Sequence, residues 1–145
     1  YLLEYTDKVK ADHENQEMIK LAEATGKPLF ISVPRRPINR FESHISWFYC
    51  LNAYPPSIED FNLDVASTCN GFSSHFPHTV CDLAFAINRF YAESYIEKHV
   101  MVRPKFEKGI WVNEPIDKNV SIQFSELKNF ITQLELIERM KRTRL

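Results

Sequence analysis

The amino-acid sequence predicts a mainly α fold, a compact bundle of about five helices with a few short extended segments. Apolar residues recur at spacings of three and four along most of the chain, which is typical of helices that bury one face. The 145 residues include 3 Gly, fewer than the tight turns of an all-β sandwich would need. This length suits one hydrophobic core, so we expect residues 1–145 to form a single helical domain or a fragment of one.

The first half of the chain predicts a helix, a short strand and a second helix. Residues 2–25 contain neither Pro nor Gly and stop at Gly26, the residue type expected just beyond a helix end. The segment LFISV at 29–33 lies between two prolines and predicts a strand. A helix over 38–54 would follow Pro37, because proline suits the first helical turn. Its inner face would carry Ile38, Phe41, Ile45, Phe48 and Leu51.

The second half predicts further helices around one extended stretch. Ser57 is a good N-cap for a helix that Gly71 would end, and another helix would run from Pro77 to about residue 99. Residues 100–119 are interrupted by proline and predict two short strands or an extended connector. Ser125 would cap the last helix. The residues expected on its inner face are Leu127, Phe130, Ile131, Leu134 and Ile137.

Composition and charge exclude some classes of partner and setting. A formal net charge of -1 gives no global attraction to nucleic acid, and we find no specific nucleic-acid motif. The longest apolar run, Ile45–Leu51, is too short for a transmembrane segment. An odd number of cysteines, 3, favours reduced thiols and a cytoplasmic or other intracellular setting. Because the chain starts at Tyr1 rather than Met, we expect it to be an excerpt of a longer protein.

Residues 69–81, CNGFSSHFPHTVC, contain the chain's one cluster of soft metal-ligand types. Zinc prefers four nitrogen or sulfur ligands in a tetrahedron, and the candidate ligands are Cys69, His75, His78 and Cys81. Such a site would be structural or hydrolytic. The alternative is a helix–turn–helix junction in which the two cysteines are small buried hydrophobes. Zinc is the sole cofactor that the sequence suggests.

Catalytic signatures are otherwise weak, so the sequence leans away from an enzyme. A nucleophilic pair of Cys81 with His78, or of Cys50 with His44, would still need an oxyanion site and an orienting group, which no motif supplies. Glycine-rich phosphate loops and dinucleotide-binding patterns are absent from the sequence.

Charged residues mark two surfaces for a partner. Arg35 and Arg36 lie in the rigid segment PRRP, and Arg40 follows one turn later. The basic residues from Arg139 to Arg144 crowd the end of the last helix, where they would contact an acidic lipid or an acidic protein. The alternative for the second group is an interaction with the negative end of the helix dipole.

The segment from Pro34 to Phe41, PRRPINRF, resembles part of the Dbl-homology domains, the helical guanine-nucleotide exchange modules for Rho-family GTPases. That family carries Pro-x-Gln-Arg-aliphatic-x-Lys/Arg-Tyr at the start of a long helix. The stretch from Glu59 to Ala66, EDFNLDVA, is similar to the start of that family's next helix, so the resemblance covers residues 29–75. It implies GTPase contacts on the two helices, at Arg35, Arg36, Arg40, Asp60 and Asp64.

Three functions follow as hypotheses. The first is an intracellular helical protein-interaction module of a larger protein, with a small GTPase as the partner that the resemblance implies. The second is a zinc-binding domain built on residues 69–81. The third is a structural helical segment of a viral or multi-subunit assembly protein.

Overall fold

A computed structural model shows an α/β fold, so the prediction of a mainly α bundle is wrong. A parallel sheet of five strands, not a set of packed helices, organises the molecule. The structure describes residues 9–37, 44–89, 93–102, 105–112 and 115–142.

The five strands of the sheet lie side by side in the order in which they occur in the chain, and every neighbouring pair is parallel. All five therefore end at the same edge, which we call the carboxyl edge. The strands are β1 (Val9–Asp12), β2 (Leu29–Val33), β3 (Ile45–Cys50), β4 (Gly71–Ser74) and β5 (Tyr95–Lys98).

Among the described residues, three helices lie in the connections between these strands, and a fourth follows the sheet. They are α1 (Gln16–Glu23), α2 (Leu63–Ala66), α3 (Val80–Asn88) and the long C-terminal α4 (Phe124–Arg142). Asparagine caps begin the first two, because Asn15 accepts from the Met18 N–H at 3.0 Å and Asn62 accepts from the Val65 N–H at 3.0 Å.

The remaining elements are short. Within the described ranges, 3-10 turns lie at Ile58–Asp60 and Lys118–Val120. Strand β6 (Val100–Met101) pairs in parallel with β9 (Ile122–Gln123), and β7 (Lys105–Glu107) forms an antiparallel hairpin with β8 (Ile110–Val112).

One face of the sheet carries the hydrophobic core. Side chains alternate between the two faces along each strand. Leu29, Ile31 and Val33 of β2 are buried on this face and continue across it to the next strands. The core residues that join them from the other elements are Ala22 of α1, Tyr49 of β3, Ala66 of α2, Phe72 of β4, and Cys81 and Phe85 of α3.

Helices α1, α2 and α3 therefore cover the same face, as right-handed crossovers between successive neighbouring strands require. This winding, with strands in sequential order and helices on one side, is also that of the wall of a (β/α) barrel.

The opposite face carries aromatic residues in the middle of the strands. The ring of Phe48 lies 4.8 Å from that of Phe30 and 6.1 Å from that of Tyr95, measured between centroids. Gly71 lies beneath Phe48, and a Cβ at this position would approach Phe48 Cε1 to 2.5 Å. The absence of a side chain at Gly71 therefore permits the aromatic packing.

The bundle prediction failed at segments whose apolar residues fit two patterns. In ISWFYCL the apolar residues fit helical spacing, but a strand packed on both faces also reads as a continuous apolar run. Residues Ile45–Cys50 form β3 rather than a helix over 38–54. The predicted helix from Pro77 to residue 99 is also wrong. The observed helix, α3, ends at Asn88, and Tyr95–Lys98 form strand β5.

The helix predicted over 2–25 is wrong at Val9–Asp12, which form β1. The helix predicted from Ser57 to Gly71 is also wrong, because only Leu63–Ala66 are α-helical and Gly71 begins β4.

Two other predicted elements are confirmed. The strand at 29–33 is β2, and the last helix is α4, which begins at Phe124. Its buried side chains are Phe130 and Ile137, whereas Ile131, expected to face inward, is 45% exposed. No helix in the described part of the chain combines the length and the apolar character needed to cross a membrane.

Candidate active site at the carboxyl edge

Three polar side chains lie in one register row near the carboxyl edge. Cys50 of β3 pairs with Ser73 of β4, which pairs with Glu97 of β5. Alternation places this row on the face opposite the helices, since the preceding row, with Tyr49 and Phe72, belongs to the core. The Ser73 hydroxyl donates to Glu97 Oε1 at 2.7 Å, which fixes the carboxylate.

His75 continues this face just beyond the end of β4. Its side chain is buried, and its Nδ1 lies 2.9 Å from the Leu51 carbonyl oxygen. A carbonyl oxygen can only accept, so Nδ1 carries the hydrogen and Nε2 carries the lone pair of the neutral ring. The Cys50 sulfur lies 4.0 Å from the same Nδ1. The backbone after β3 therefore sets both the tautomer and the orientation of this imidazole.

His99 occupies the corresponding position beyond β5. Its ring centroid lies 5.3 Å from that of His75. Its Nδ1 lies 3.5 Å from Asp117 Oδ2, and both side chains are partly exposed. Each of the two imidazoles thus has an oxygen atom beside its Nδ1, a carbonyl oxygen for His75 and a carboxylate for His99.

Tyr54 forms the rim of the site. Its ring stacks on the His75 ring with centroids 4.1 Å apart and planes inclined at 30°. Partial burial raises the pKa of the Tyr54 hydroxyl, and the nearby Cys50, Asp117 and Glu97 raise it further. The phenol therefore stays protonated near neutral pH and can donate a hydrogen bond at this edge.

These residues form one cluster, which we call the carboxyl-edge cluster. Its members come from the ends of three neighbouring strands and from the segments that follow them. They are Cys50, Tyr54, Ser73, His75, Glu97, His99 and Asp117.

A buried ion pair lies on the other face of the same strand ends. Lys98 Nζ donates to Asp82 Oδ2 at 3.1 Å and to the Ser74 hydroxyl at 3.0 Å. It also donates to the carbonyl oxygens of Phe76 at 2.6 Å and His78 at 2.7 Å. One ammonium group therefore ties β5 to α3 and to the loop that leads away from His75.

Burial has opposite effects on the two members of this pair. It lowers the pKa of the Lys98 ammonium and raises the pKa of the Asp82 carboxyl, while the mutual attraction opposes both changes. The side chains are 4% and 0% exposed, so neither can contact a substrate. We therefore assign the pair to positioning the loop rather than to chemistry.

The four residues predicted to bind zinc lie in different surroundings. Cys69 and Cys81 are fully buried in the hydrophobic core, and burial raises the pKa of the Cys81 thiol to about 11. His75 belongs to the carboxyl-edge cluster, while the His78 ring stacks on Phe76 at 5.3 Å.

Among the described residues, no group of three or more His, Cys, Asp or Glu side chains is arranged to hold a metal ion. Zinc binding by Cys69, His75, His78 and Cys81 therefore stays a prediction. His75 and His99 are the neighbouring pair from which two imidazole ligands would come.

The predicted partner-binding residues lie apart from this cluster. Arg35 and Arg36 are exposed just after β2, Asp60 is exposed in the first 3-10 turn and Asp64 is exposed on α2. Arg40 lies outside the described residues.

The basic residues predicted to contact an acidic lipid or protein lie at the end of the chain. Arg139, Lys141 and Arg142 belong to the last turn of α4, where Lys141 pairs with Glu138, and Arg144 lies outside the described residues. GTPase, lipid and acidic-protein contacts stay predictions. The helical fold that the Dbl resemblance implies is not the one observed.

Sequence reasoning missed Tyr54, Ser73, Glu97, His99 and Asp117 as site residues. A signal for some of them was present in the segments GFSSH and YIEKH, each of which alternates between two faces and ends in a histidine. Assigning the second segment to a helix hid this similarity.

Comparison of the chain with models of known protein families, with characterised proteins and with solved structures finds no match.

Proposed function

We propose that the carboxyl-edge cluster is the active site of an enzyme that moves protons on a small, hydroxylated carbonyl compound. The observation that carries this proposal is the pairing of His75 with His99, whose rings lie 5.3 Å apart with an oxygen atom beside each Nδ1. Histidine is the side chain most often used as a general acid or base near neutral pH.

The position in the fold supports this proposal. In (β/α) barrels, whose winding this sheet shares, active sites are built at the carboxyl ends of the strands and in the loops that follow them. This support is an analogy between folds, and the chemistry must come from the residues themselves.

The two imidazoles suit different roles. The Leu51 carbonyl holds the hydrogen of His75 on Nδ1, so Nε2 would accept a proton from the substrate carbon next to the carbonyl. The Asp117 carboxylate lies beside Nδ1 of His99 and orients its ring, and this imidazole would donate a proton to the carbonyl oxygen. The enol formed in this way has lost one proton to His75 and gained one from His99.

The other members of the cluster suit hydroxyl groups on the substrate. Glu97 accepts hydrogen bonds, Tyr54 donates one, and Ser73 can do both. Hydroxyl groups are both donors and acceptors, so a sugar-like compound complements this mixed set better than an apolar compound would.

The same histidine pair favours a second role, the binding of a divalent metal ion. Metal-ligating histidines commonly hold their other ring nitrogen against a carbonyl or a carboxylate, as both do here. The pair supplies two ligands, and the described residues add no third. A metal ion held there would polarise the same carbonyl group.

The test is solvent exchange at carbon. The protein is incubated in D₂O with a panel of aldoses, ketoses and 2-keto acids, with and without added Mn²⁺ or Zn²⁺, and deuterium incorporation is followed by NMR. We expect at least one compound to exchange. Because general acid–base catalysis contributes about 10²–10⁴-fold, His75→Gln and His99→Gln should each reduce the rate by about 100-fold or more.

His78→Gln is the matched control, since His78 lies outside the carboxyl-edge cluster and stacks on Phe76. It should retain the exchange rate of the original protein. Equal loss in all three variants, or no exchange of any compound under either condition, would overturn the proposal. If exchange requires the added metal ion, the result favours the second role of the histidine pair, in which a bound metal ion polarises the carbonyl group.

A further inference from the structure

A cavity of about 330 Å³ lies on the helix-covered side of the sheet, between α1 and the strands β2 and β3. Its floor is apolar and is formed by Ile31 and Val33 of β2 and Ile45 and Trp47 of β3. We call it the β2–β3 groove. These residues alternate with those of the opposite face, so the groove and the carboxyl-edge cluster lie on different sides of the sheet.

The connection between β2 and β3 contributes to the wall of the groove. Parallel neighbours are usually joined by a helix that covers them, as α2 does between β3 and β4. Between β2 and β3, the described residues 34–37 and 44 contain no helix. Of the described residues in this connection, Arg35, Arg36 and Pro37 line the groove.

The rim of the groove beside this connection carries two arginines, while His13, Gln16 and Glu23 line the groove on the side of α1. Arg35 and Arg36 line it together with Pro37, and both arginines are exposed. No carboxylate of the described residues lies within ion-pair distance of either guanidinium. A guanidinium group presents a planar set of donors that matches a carboxylate, sulfonate or phosphate.

We propose that the β2–β3 groove binds a small organic anion with an apolar body, such as an aromatic carboxylate or sulfonate. The apolar body would lie on Ile45 and Trp47, which are partly buried, while the anionic group would pair with Arg35 and Arg36 at the rim. A volume of about 330 Å³ fits a ligand of this size. This site is independent of the proposed catalysis and gives a role to the arginines that the sequence singled out.

The test uses two fluorescent probes of nearly equal shape. 8-Anilinonaphthalene-1-sulfonate carries the anion, and N-phenyl-1-naphthylamine lacks it. Both are titrated into the chain while quenching of tryptophan fluorescence is followed, and Trp47→Phe identifies the part of the signal that comes from the groove. We expect saturable binding of the sulfonate, quenching that depends on Trp47, and weaker binding of the neutral probe.

Replacing both arginines, as Arg35→Gln with Arg36→Gln, should weaken sulfonate binding about tenfold or more and leave binding of the neutral probe unchanged. The matched control is Arg139→Gln with Arg142→Gln. Arg139 lines a separate apolar depression between α3 and α4, where the sulfonate would also find a cation. Circular dichroism checks that both double variants fold.

Three results would overturn the proposal. The first is equal weakening of both probes by the Arg35 and Arg36 changes. The second is loss of sulfonate binding in the Arg139 and Arg142 variant alone. The third is quenching that is unaffected by Trp47→Phe.

Discussion

Ser73 and Ser74 are neighbours in sequence, yet they serve opposite faces of the sheet. The Ser73 hydroxyl donates to Glu97 in the carboxyl-edge cluster, whereas the Ser74 hydroxyl accepts from Lys98 in the buried ion pair. Glu97 and Lys98 are likewise adjacent in β5 and in register with the two serines. The alternation of side chains along two strands therefore separates a polar site from a structural clamp within four residues.

The packing of Phe48 against Gly71 can be tested by a single substitution. Gly71→Ala would place a methyl group 2.5–2.7 Å from three ring atoms of Phe48, too close for an ordinary contact. We expect a loss of about 1–3 kcal/mol in the free energy of unfolding, the usual cost of overpacking. Urea denaturation measures it.

Phe48→Leu is the second variant in this comparison. If the contact with Phe48 causes the loss, Gly71→Ala should cost less in the Phe48→Leu background than in the original protein. An equal cost in both backgrounds would contradict the packing described here.

The buried thiol of Cys81 should make the free energy of unfolding depend on pH. Burial raises the pKa of this thiol to about 11, so the folded chain keeps its proton where the unfolded chain loses it. Stability from this group is therefore fully present below about pH 9 and is lost as the pH rises toward 11. Between pH 8 and pH 10 the original protein should lose about 1 kcal/mol more than Cys81→Ala does. Parallel losses in the two proteins, measured by urea denaturation, would show that the thiol titrates normally.

At the scale of elements, the Asp82–Lys98 pair joins α3 to β5. Lys98→Met should cost about 3–5 kcal/mol in the free energy of unfolding, because it leaves the Asp82 carboxylate buried without its partner. The double variant Asp82→Leu with Lys98→Met should cost less than Lys98→Met alone, since it removes the uncompensated charge as well. A double variant that is as unstable as the sum of the single changes would show that the two side chains act independently.

The sequence predicts the correct secondary structure where its pattern of apolar residues fits only one kind of element. The long polar-and-apolar repeat of α4 and the proline-bounded LFISV of β2 each fit one structure. The prediction failed in β3 and β5, where apolar residues on both faces of a strand also match helical spacing. It also misplaced Ile131, because α4 packs through a narrow stripe that includes Phe130 and Ile137 rather than through a full face.

At the scale of the whole molecule, the site depends on the pairing of strands, which no local sequence pattern specifies. His75 was predicted as a candidate ligand from its place in a Cys/His cluster, but its neighbours in that cluster lie elsewhere in the structure. Its structural neighbour His99 is distant in sequence and was assigned to a helix end. The two come together because β4 and β5 are parallel neighbours that end at one edge. Sequence-local reasoning could therefore find one member of the pair and not the other.

The most direct test of the central claim is a long-range ¹H–¹⁵N NMR spectrum of the histidine imidazoles, recorded for the original protein and for His99→Gln and His78→Gln. We predict that neutral His75 has its hydrogen on Nδ1, that its resonances move in His99→Gln, and that they stay in place in His78→Gln. A hydrogen on Nε2 of His75, or resonances that ignore the change at His99, would contradict the paired site.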